Sequence, residues 1–218
     1  MKSFIPLCAF LLAVGATSSL AAEKSRRRQV ALIFDDGPVA AQTEQFIALL
    51  AKEKARVSFA YVGRNVVAHP ALARAAAEAG HELINHSYTH PHFKELDDKA
   101  ITREVHDTQV AIEKATGRTP RWFWAPFGDW DDRIAAAVRA GGLEHFPAPR
   151  FHIISTDDWN REVPAAKIRE RATAGDAAKT VIICHEWREE TLAELPAILA
   201  ELRRQGCEFV TFSELAQP

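Results

Sequence analysis

The feature that most restricts the fold of this chain is an alternation. Short apolar runs recur between longer amphipathic or alanine-rich stretches, with glycines and prolines at the joints. The runs at 30–33, 57–62, 81–85, 122–125, 152–156, 181–184 and 208–212, and a shorter one at 143–146, have strand character. The stretches at 42–54, 70–79, 97–116, 131–140, 164–174 and 192–205 have helical length and period. Gly80, Gly117, Gly141 and Gly206 fall where helix C-caps belong. Repeated strand–helix units run their strands parallel, and eight such strands predict closure into a barrel. With 218 residues, 47% apolar and 26% charged, the chain suits one domain with a sizeable core, and no repeat or second domain is visible.

The first residues read differently. Lys2 and the apolar run 4–14 are too short for a membrane span and have the shape of a signal peptide. Small residues at Ser19-Leu20-Ala21 predict cleavage before Ala22. The expected organisation is therefore a signal peptide at 1–21, a basic linker at 22–28 and one catalytic domain at 29–218, with an uncleaved anchor as the alternative. Such a protein is exported, periplasmic or secreted, with no membrane attachment after cleavage. A net charge of −2 argues against a nucleic-acid partner. The oligomeric state is not readable. Cys8 leaves with the signal peptide, and Cys184 and Cys207 remain in an oxidising compartment. If their strands are parallel neighbours, they lie at opposite ends of the barrel. A five-residue strand spans roughly 15 Å, whereas a disulfide needs Cα atoms within about 7 Å, so two free, buried thiols are expected.

Chemistry gathers at the strand ends. Phe34-Asp35-Asp36-Gly37-Pro38 closes the first run with two adjacent acids and a turn. Neighbouring strand residues point to opposite sides, so both acids share one environment only if the strand has begun to turn. A solvated strand end with an Asx turn is the other account. The second cluster is His86-Ser87-Tyr88-Thr89-His90, after the run 81–85. Imidazoles at i and i+4 on a helical turn can hold one metal ion, and a carboxylate from elsewhere would complete a facial set with open positions. Parallel α/β folds place active-site groups at such strand ends.

These two stretches resemble the first two motifs of the polysaccharide deacetylases that share the NodB homology domain (carbohydrate esterase family 4). The first, Thr-Phe-Asp-Asp-Gly-Pro, is met from Ile33 to Pro38 except at Ile33, and the second, His-(Ser/Thr)-x-x-His, by His86 to His90. The resemblance runs from about Gln29 to Phe212. It implies an α/β fold: a distorted (β/α) barrel, single domain, with seven to eight parallel strands. It also implies Asp36, His86 and His90 as ligands of Zn²⁺ or another divalent metal such as Co²⁺ or Ni²⁺, and Asp35 as catalytic base. The third motif, Arg-x-Pro-(Tyr/Phe)-Gly, aligns with Trp124-Ala125-Pro126-Phe127-Gly128. Trp124 replaces the arginine that pairs with the base, and the Phe127 N–H corresponds to the oxyanion donor. Arg121, Arg150 and Arg161 are the arginines that could supply a cation from elsewhere. The fourth motif, Asp-x-x-Asp-Trp, is met by Asp158 and Trp159, with Ser155 in place of the leading acid. The fifth, Leu-x-His, becomes Ile183-Cys184-His185. His185 is then the catalytic acid, Asp158 orients it, and Trp159 packs against it. Trp130, Trp159 and Trp187 follow strand ends and offer stacking faces to a sugar.

The implied activity is removal of N-acetyl groups from an acetylated glycan containing N-acetylglucosamine, such as chitooligosaccharide or peptidoglycan. Two alternatives stay open: a deacylase of another amide or O-acetyl ester, and a glycan-binding pseudoenzyme, suggested by Trp124 and Ser155.

Overall fold

The computed structural model describes residues 27–145 and 150–217. The expected signal peptide, its cleavage point and most of the basic linker lie outside the described residues. Within them, the alternation becomes strands β1 (Arg28–Gly37), β2 (Ser58–Tyr61), β3 (Glu82–Asn85), β4 (Trp122–Phe123), β5 (Glu144–His145), β6 (His152–Ser155), β7 (Lys179–His185) and β8 (Cys207–Phe209). The helices are α1 (Thr43–Lys52), α2 (Gly63–Ala68), α3 (Pro70–Glu78), α4 (Asp98–Thr116), α5 (Asp132–Ala140), α6 (Ala165–Ala172), α7 (Glu189–Arg204) and α8 (Phe212–Leu215). Every ladder is parallel, in the order β5-β4-β3-β2-β1-β7-β6, with β8 beside β1. No ladder joins β5 to β6 among the described residues, so the sheet is a curled, distorted barrel.

β1 is the central strand because both of its faces are apolar. Val30, Leu32 and Phe34 point outward into a core with Phe46 and Leu50 of α1 and Ile198, Leu199 and Leu202 of α7. Ala31 and Ile33 point inward among Ala60, Ile84, Trp122, Val181 and Phe212. Burying a strand on both sides uses the period-2 alternation of side chains, which here feeds two separate cores. A third cluster, around Phe93, Phe123, Ile101, Val105, Ile134 and Val138, seats α4 and α5.

Three local expectations are corrected. The run 208–212 ends as a strand at Phe209, because Thr211 caps α8 in a capping box with Glu214 and draws Phe212 into that helix. The short α2, without a strong apolar period, was not expected at all. Gly141 caps α5 with an ordinary φ of −75°, and the left-handed position falls on Gly142 (φ +75°). By contrast, Gly117 adopts φ +68° as the cap of α4.

The thiols are free and buried as expected, but the topology differs from the one assumed. Gln29 lies opposite Lys179 of β7 on one side and Glu208 of β8 on the other, so β1 separates the two cysteine strands. Cys184 is level with Phe34 and Cys207 with Arg28, an offset of roughly 20 Å along β1. Denatured without reductant, a chain beginning at Gln29 should therefore titrate two thiols. A Cys184–Cys207 bridge found by mass spectrometry would contradict this sheet order.

Candidate active site

The register of β1 decides how two adjacent acids reach one place. Asp35 pairs with Ala60 of β2, but the next paired residue is Gly37, opposite Tyr61, so Asp36 is the extra residue of a bulge. Its φ of 71° is left-handed, a region that Asp tolerates better than most residues. The bulge is pinned from three sides. Trp187 Nε1 donates to Asp36 Oδ2 (2.9 Å) and Asn65 Nδ2 to the Asp36 carbonyl (2.9 Å). Beneath it, a Cβ on Gly37 would overlap Glu186 Oε2 and stand 2.6 Å from the Tyr61 ring, so only glycine fits.

The histidine pair is not a helical turn. His86 directly follows β3, and the chain then turns through Ser87 (φ 66°) and His90 (φ 63°). Local hydrogen bonds support this shape: Asn85 Oδ1 accepts from Ser87 N–H (3.1 Å), and Ser87 Oγ from His90 N–H (3.0 Å). Polar side chains that cap their own backbone compete with helix formation, which is why i, i+4 spacing misled here. The turn nonetheless brings the rings to 5.0 Å between centroids.

Asp36, His86 and His90 offer three ligand atoms within 4.8 Å of one another. Asp36 Oδ1 lies 3.2 Å from His90 Nε2 and 3.5 Å from His86 Nε2, and it is a buried oxygen without a hydrogen-bond donor among the described residues. His86 Nδ1 is 2.7 Å from the Trp124 carbonyl. A proton on Nδ1 that donates there leaves the Nε2 lone pair aimed at the cluster, the usual way an outer partner sets a ligand tautomer. Burial, then the neighbouring His86, lower the His90 pKa to about 4, keeping it neutral as a ligand must be. This donor set fits a divalent cation that accepts nitrogen and oxygen ligands and keeps open positions.

Asp35 and His185 flank the cluster as direct neighbours across β1 and β7. Burial pushes Asp35 up to about 6; Asp36 adds to the rise, while His86, His185 and the Trp124 N–H oppose it. Trp124 Nε1 donates to Asp35 Oδ2 at 2.9 Å, so the indole takes up a direct contact with the acid. No arginine bonds Asp35 among the described residues: Arg121 pairs with Glu144, and Arg161 lies over Trp187. Burial alone would depress the His185 pKa. Its hydrogen bond to Asp158 and the charges of Asp35, Asp158 and Asp36 outweigh that and raise it to about 9. Asp158, fully buried, accepts from the His185 ring at Nδ1 (2.7 Å), the His185 N–H (2.8 Å) and Thr191 Oγ1 (2.6 Å).

Residues 22–146, more than half of the chain, match the polysaccharide deacetylase family. The chain belongs to it. It is 30% identical over 191 residues to a peptidoglycan-N-acetylglucosamine deacetylase of Bacillus cereus, covering 85% of this chain and 87% of that one. It is 28% identical over 188 residues to the corresponding Listeria monocytogenes deacetylase, covering 86% of this chain but only 39% of that protein's length. Among solved structures, a family 4 carbohydrate esterase from Streptomyces lividans, determined in complex with acetate, superposes with a TM-score of 0.77 at 30% identity, over 84% of this chain and 91% of that one.

The motif residues of this polysaccharide deacetylase family member mostly converge on one strand-end cleft, with one correction. Trp159 is 59% exposed, and the ring beside His185 is Trp187, with centroids 5.5 Å apart. Trp159 lies in the turn after β6, whereas Trp187 is tied to Asp36 through its indole N–H. Phe127 follows buried Pro126 in a left-handed conformation (φ 56°); its ring stacks on His92 at 3.8 Å and meets His90 edge-on at 4.8 Å. Trp130 instead stacks on His145. Sequence reasoning missed Glu186, whose only signal was its place after His185. It is fully buried under the bulge, accepts from Thr43 Oγ1, and burial raises its pKa to about 8, so it is neutral near pH 7. Replacing His86 or His90 with Ala should abolish tight zinc binding, measured by elemental analysis after dialysis, with cooperative unfolding retained. Full zinc occupancy in His86→Ala would remove it from the ligand set.

Proposed function

We propose that this chain is an exported, metal-dependent hydrolase that removes N-acetyl groups from glycans containing N-acetylglucosamine. The observation that carries the reading is the opposed pair of Asp35 and His185 around the Asp36–His86–His90 cluster. One acid is held near the pKa of a useful base, and one imidazole is held protonated. A divalent ion at Asp36, His86 and His90, zinc or alternatively cobalt or nickel, would supply a water of lowered pKa and polarise the acetyl oxygen.

The chain's own groups do the rest. Asp35, ionised, accepts the proton of the water that attacks the acetamide carbon. The Phe127 backbone N–H donates to the oxygen that gains charge as the carbonyl becomes tetrahedral. His185 gives its proton to the departing amine nitrogen, and Asp158 keeps the ring oriented and charged, so acetate and a free amino sugar result. Trp124 holds Asp35 in place through its indole N–H, the contact whose loss would have favoured a binding-only protein. The B. cereus and L. monocytogenes relatives, named as peptidoglycan deacetylases, support a glycan substrate. The N-terminal apolar run supports a site of action outside the cytoplasm.

Acetate release from chitooligosaccharides and from peptidoglycan, with and without added zinc, tests the reading. Zinc-dependent release is expected, with Asp35→Asn and His185→Ala each about 10²–10⁴-fold slower while metal is retained. Release of acetate from neither glycan would overturn it.

The pH profile follows from the two perturbed groups. Asp35 works ionised, so the rate falls as pH drops through its pKa, and a bound cation moves that limb below about 6. His185 works protonated, so the rate falls as pH rises through its pKa, and a bound cation moves that limb below about 9. Trp124→Phe removes a donor to the charged form and should raise the acid limb by about one unit. Trp124→Arg adds a cation and should lower it. An acid limb that moves in neither variant would show that residue 124 does not tune the base.

A further inference from the structure

Beside the Asp36–His86–His90 cluster, the cleft divides around Trp187. A cavity of about 330 Å³ is lined by Asp36, Val39, Arg64, His90 and Trp187. A larger one, about 750 Å³, continues past Val39 and Trp187 to Gln42 and Arg161. Trp187 is thus the wall shared by the reaction centre and the outer cleft. Its indole N–H is committed to Asp36, and its carbonyl accepts from Gln42 Nε2 at 3.0 Å.

Arg161 carries its guanidinium over the Trp187 ring, 5.0 Å from the centroid. Its position is built. Arg188, only 3% exposed, donates from Nη2 to the carbonyls of Arg161 (3.1 Å) and Val163 (3.0 Å), clamping the backbone that presents Arg161. Arg188 is itself paired with Glu190. Among the described residues Arg161 has no carboxylate partner, nor does Arg64 in the smaller cavity, while Glu189 is the remaining acid lining the larger one. A planar cation stacked on an aromatic wall keeps its edge donors free for a carboxylate.

We propose that Arg161 determines substrate specificity by binding a carboxylate on the sugar next to the one being deacetylated, so the preferred glycan is anionic. The carboxylate could belong to a lactyl ether or to a uronic acid. The inference rests on the glycan reading of the site and adds the charge of its substrate. A structural role for Arg161, propping Trp187 alone, predicts equal losses for charged and neutral glycans; a recognition role predicts selective loss.

Binding to the zinc-loaded protein separates these, read by tryptophan fluorescence at low ionic strength. The probes are a fragment with alternating lactyl-ether sugars, a fragment with alternating uronic acids, and neutral chitotetraose. At least one anionic fragment should bind about ten- to a hundredfold more tightly than chitotetraose. Whichever does so identifies the source of the carboxylate. Arg161→Gln should erase that preference and leave chitotetraose affinity within about twofold, and Arg161→Lys should keep part of it. Equal affinities in the unmodified protein, a preference that survives Arg161→Gln, or a parallel loss for all three probes would each overturn the assignment. Acetate release is followed alongside: an intact preference without acetate would overturn the deacetylase reading and leave carboxylate recognition standing.

Discussion

Asp35 and Asp36 serve one site only because β1 bulges between them. In a regular strand they would face opposite sides, one toward the barrel interior and one toward the helices. The extra residue at Asp36, with its left-handed backbone, ends that alternation and brings both carboxylates to the mouth of the sheet. The bulge is held by groups from distant parts of the chain: Trp187 and Glu186 after β7, Asn65 in α2 and Tyr61 in β2. Gly37 is small so that a neutral, buried carboxyl can lie under it. Nearly every other feature of the cleft refers back to this point, since the histidines, Asp35 and the outer tryptophan wall all contact or flank Asp36.

Electrostatics then sorts chemically similar groups into different protonation states. Asp36 is held well below the ordinary carboxylate range: burial alone would raise it, but His86 and then His90 outweigh that. Asp35, one residue away and deeper, is pushed the other way by burial. Among the histidines, His90 is kept neutral while His185, backed by a buried and multiply bonded Asp158, is kept charged. Groups whose environments separate their pKa values in this fashion are suited to distinct acid, base and ligand tasks.

The replacement at Trp124 shows how a motif can change without loss of its contact. A guanidinium would give Asp35 both a hydrogen bond and a charge; the indole gives the bond alone. The positive charge beside Asp35 comes instead from His185, which β7 places level with it. The same economy recurs at Trp187, where one side chain braces Asp36, borders His185 and carries Arg161 on its ring.

Sequence alone determined the class of the fold and where candidate groups lie along the chain. Apolar strand runs separated by helical stretches admit little besides a parallel sheet; Asp35, Asp36, His86 and His185 were legible as groups that close such runs and His90 by its spacing from His86, while the roles proposed for them come from the motif resemblance. Local hydrogen bonding was less legible. The Ser87–His90 turn looks helical by spacing, but its side chains cap their own backbone, and motif order does not tell that Trp187 and not Trp159 lies beside His185. What only the tertiary structure decided concerns pairs far apart in the chain: Trp124 on Asp35, Trp187 on Asp36, Arg188 clamping the backbone of Arg161, and β1 lying between the two cysteine strands. Those contacts span tens to more than a hundred residues, and their geometry follows from sheet register and from the bulge that shifts it. Spacing along a chain reports which side chains share a strand or a helix face; it carries no information on which strand end will stand beside which.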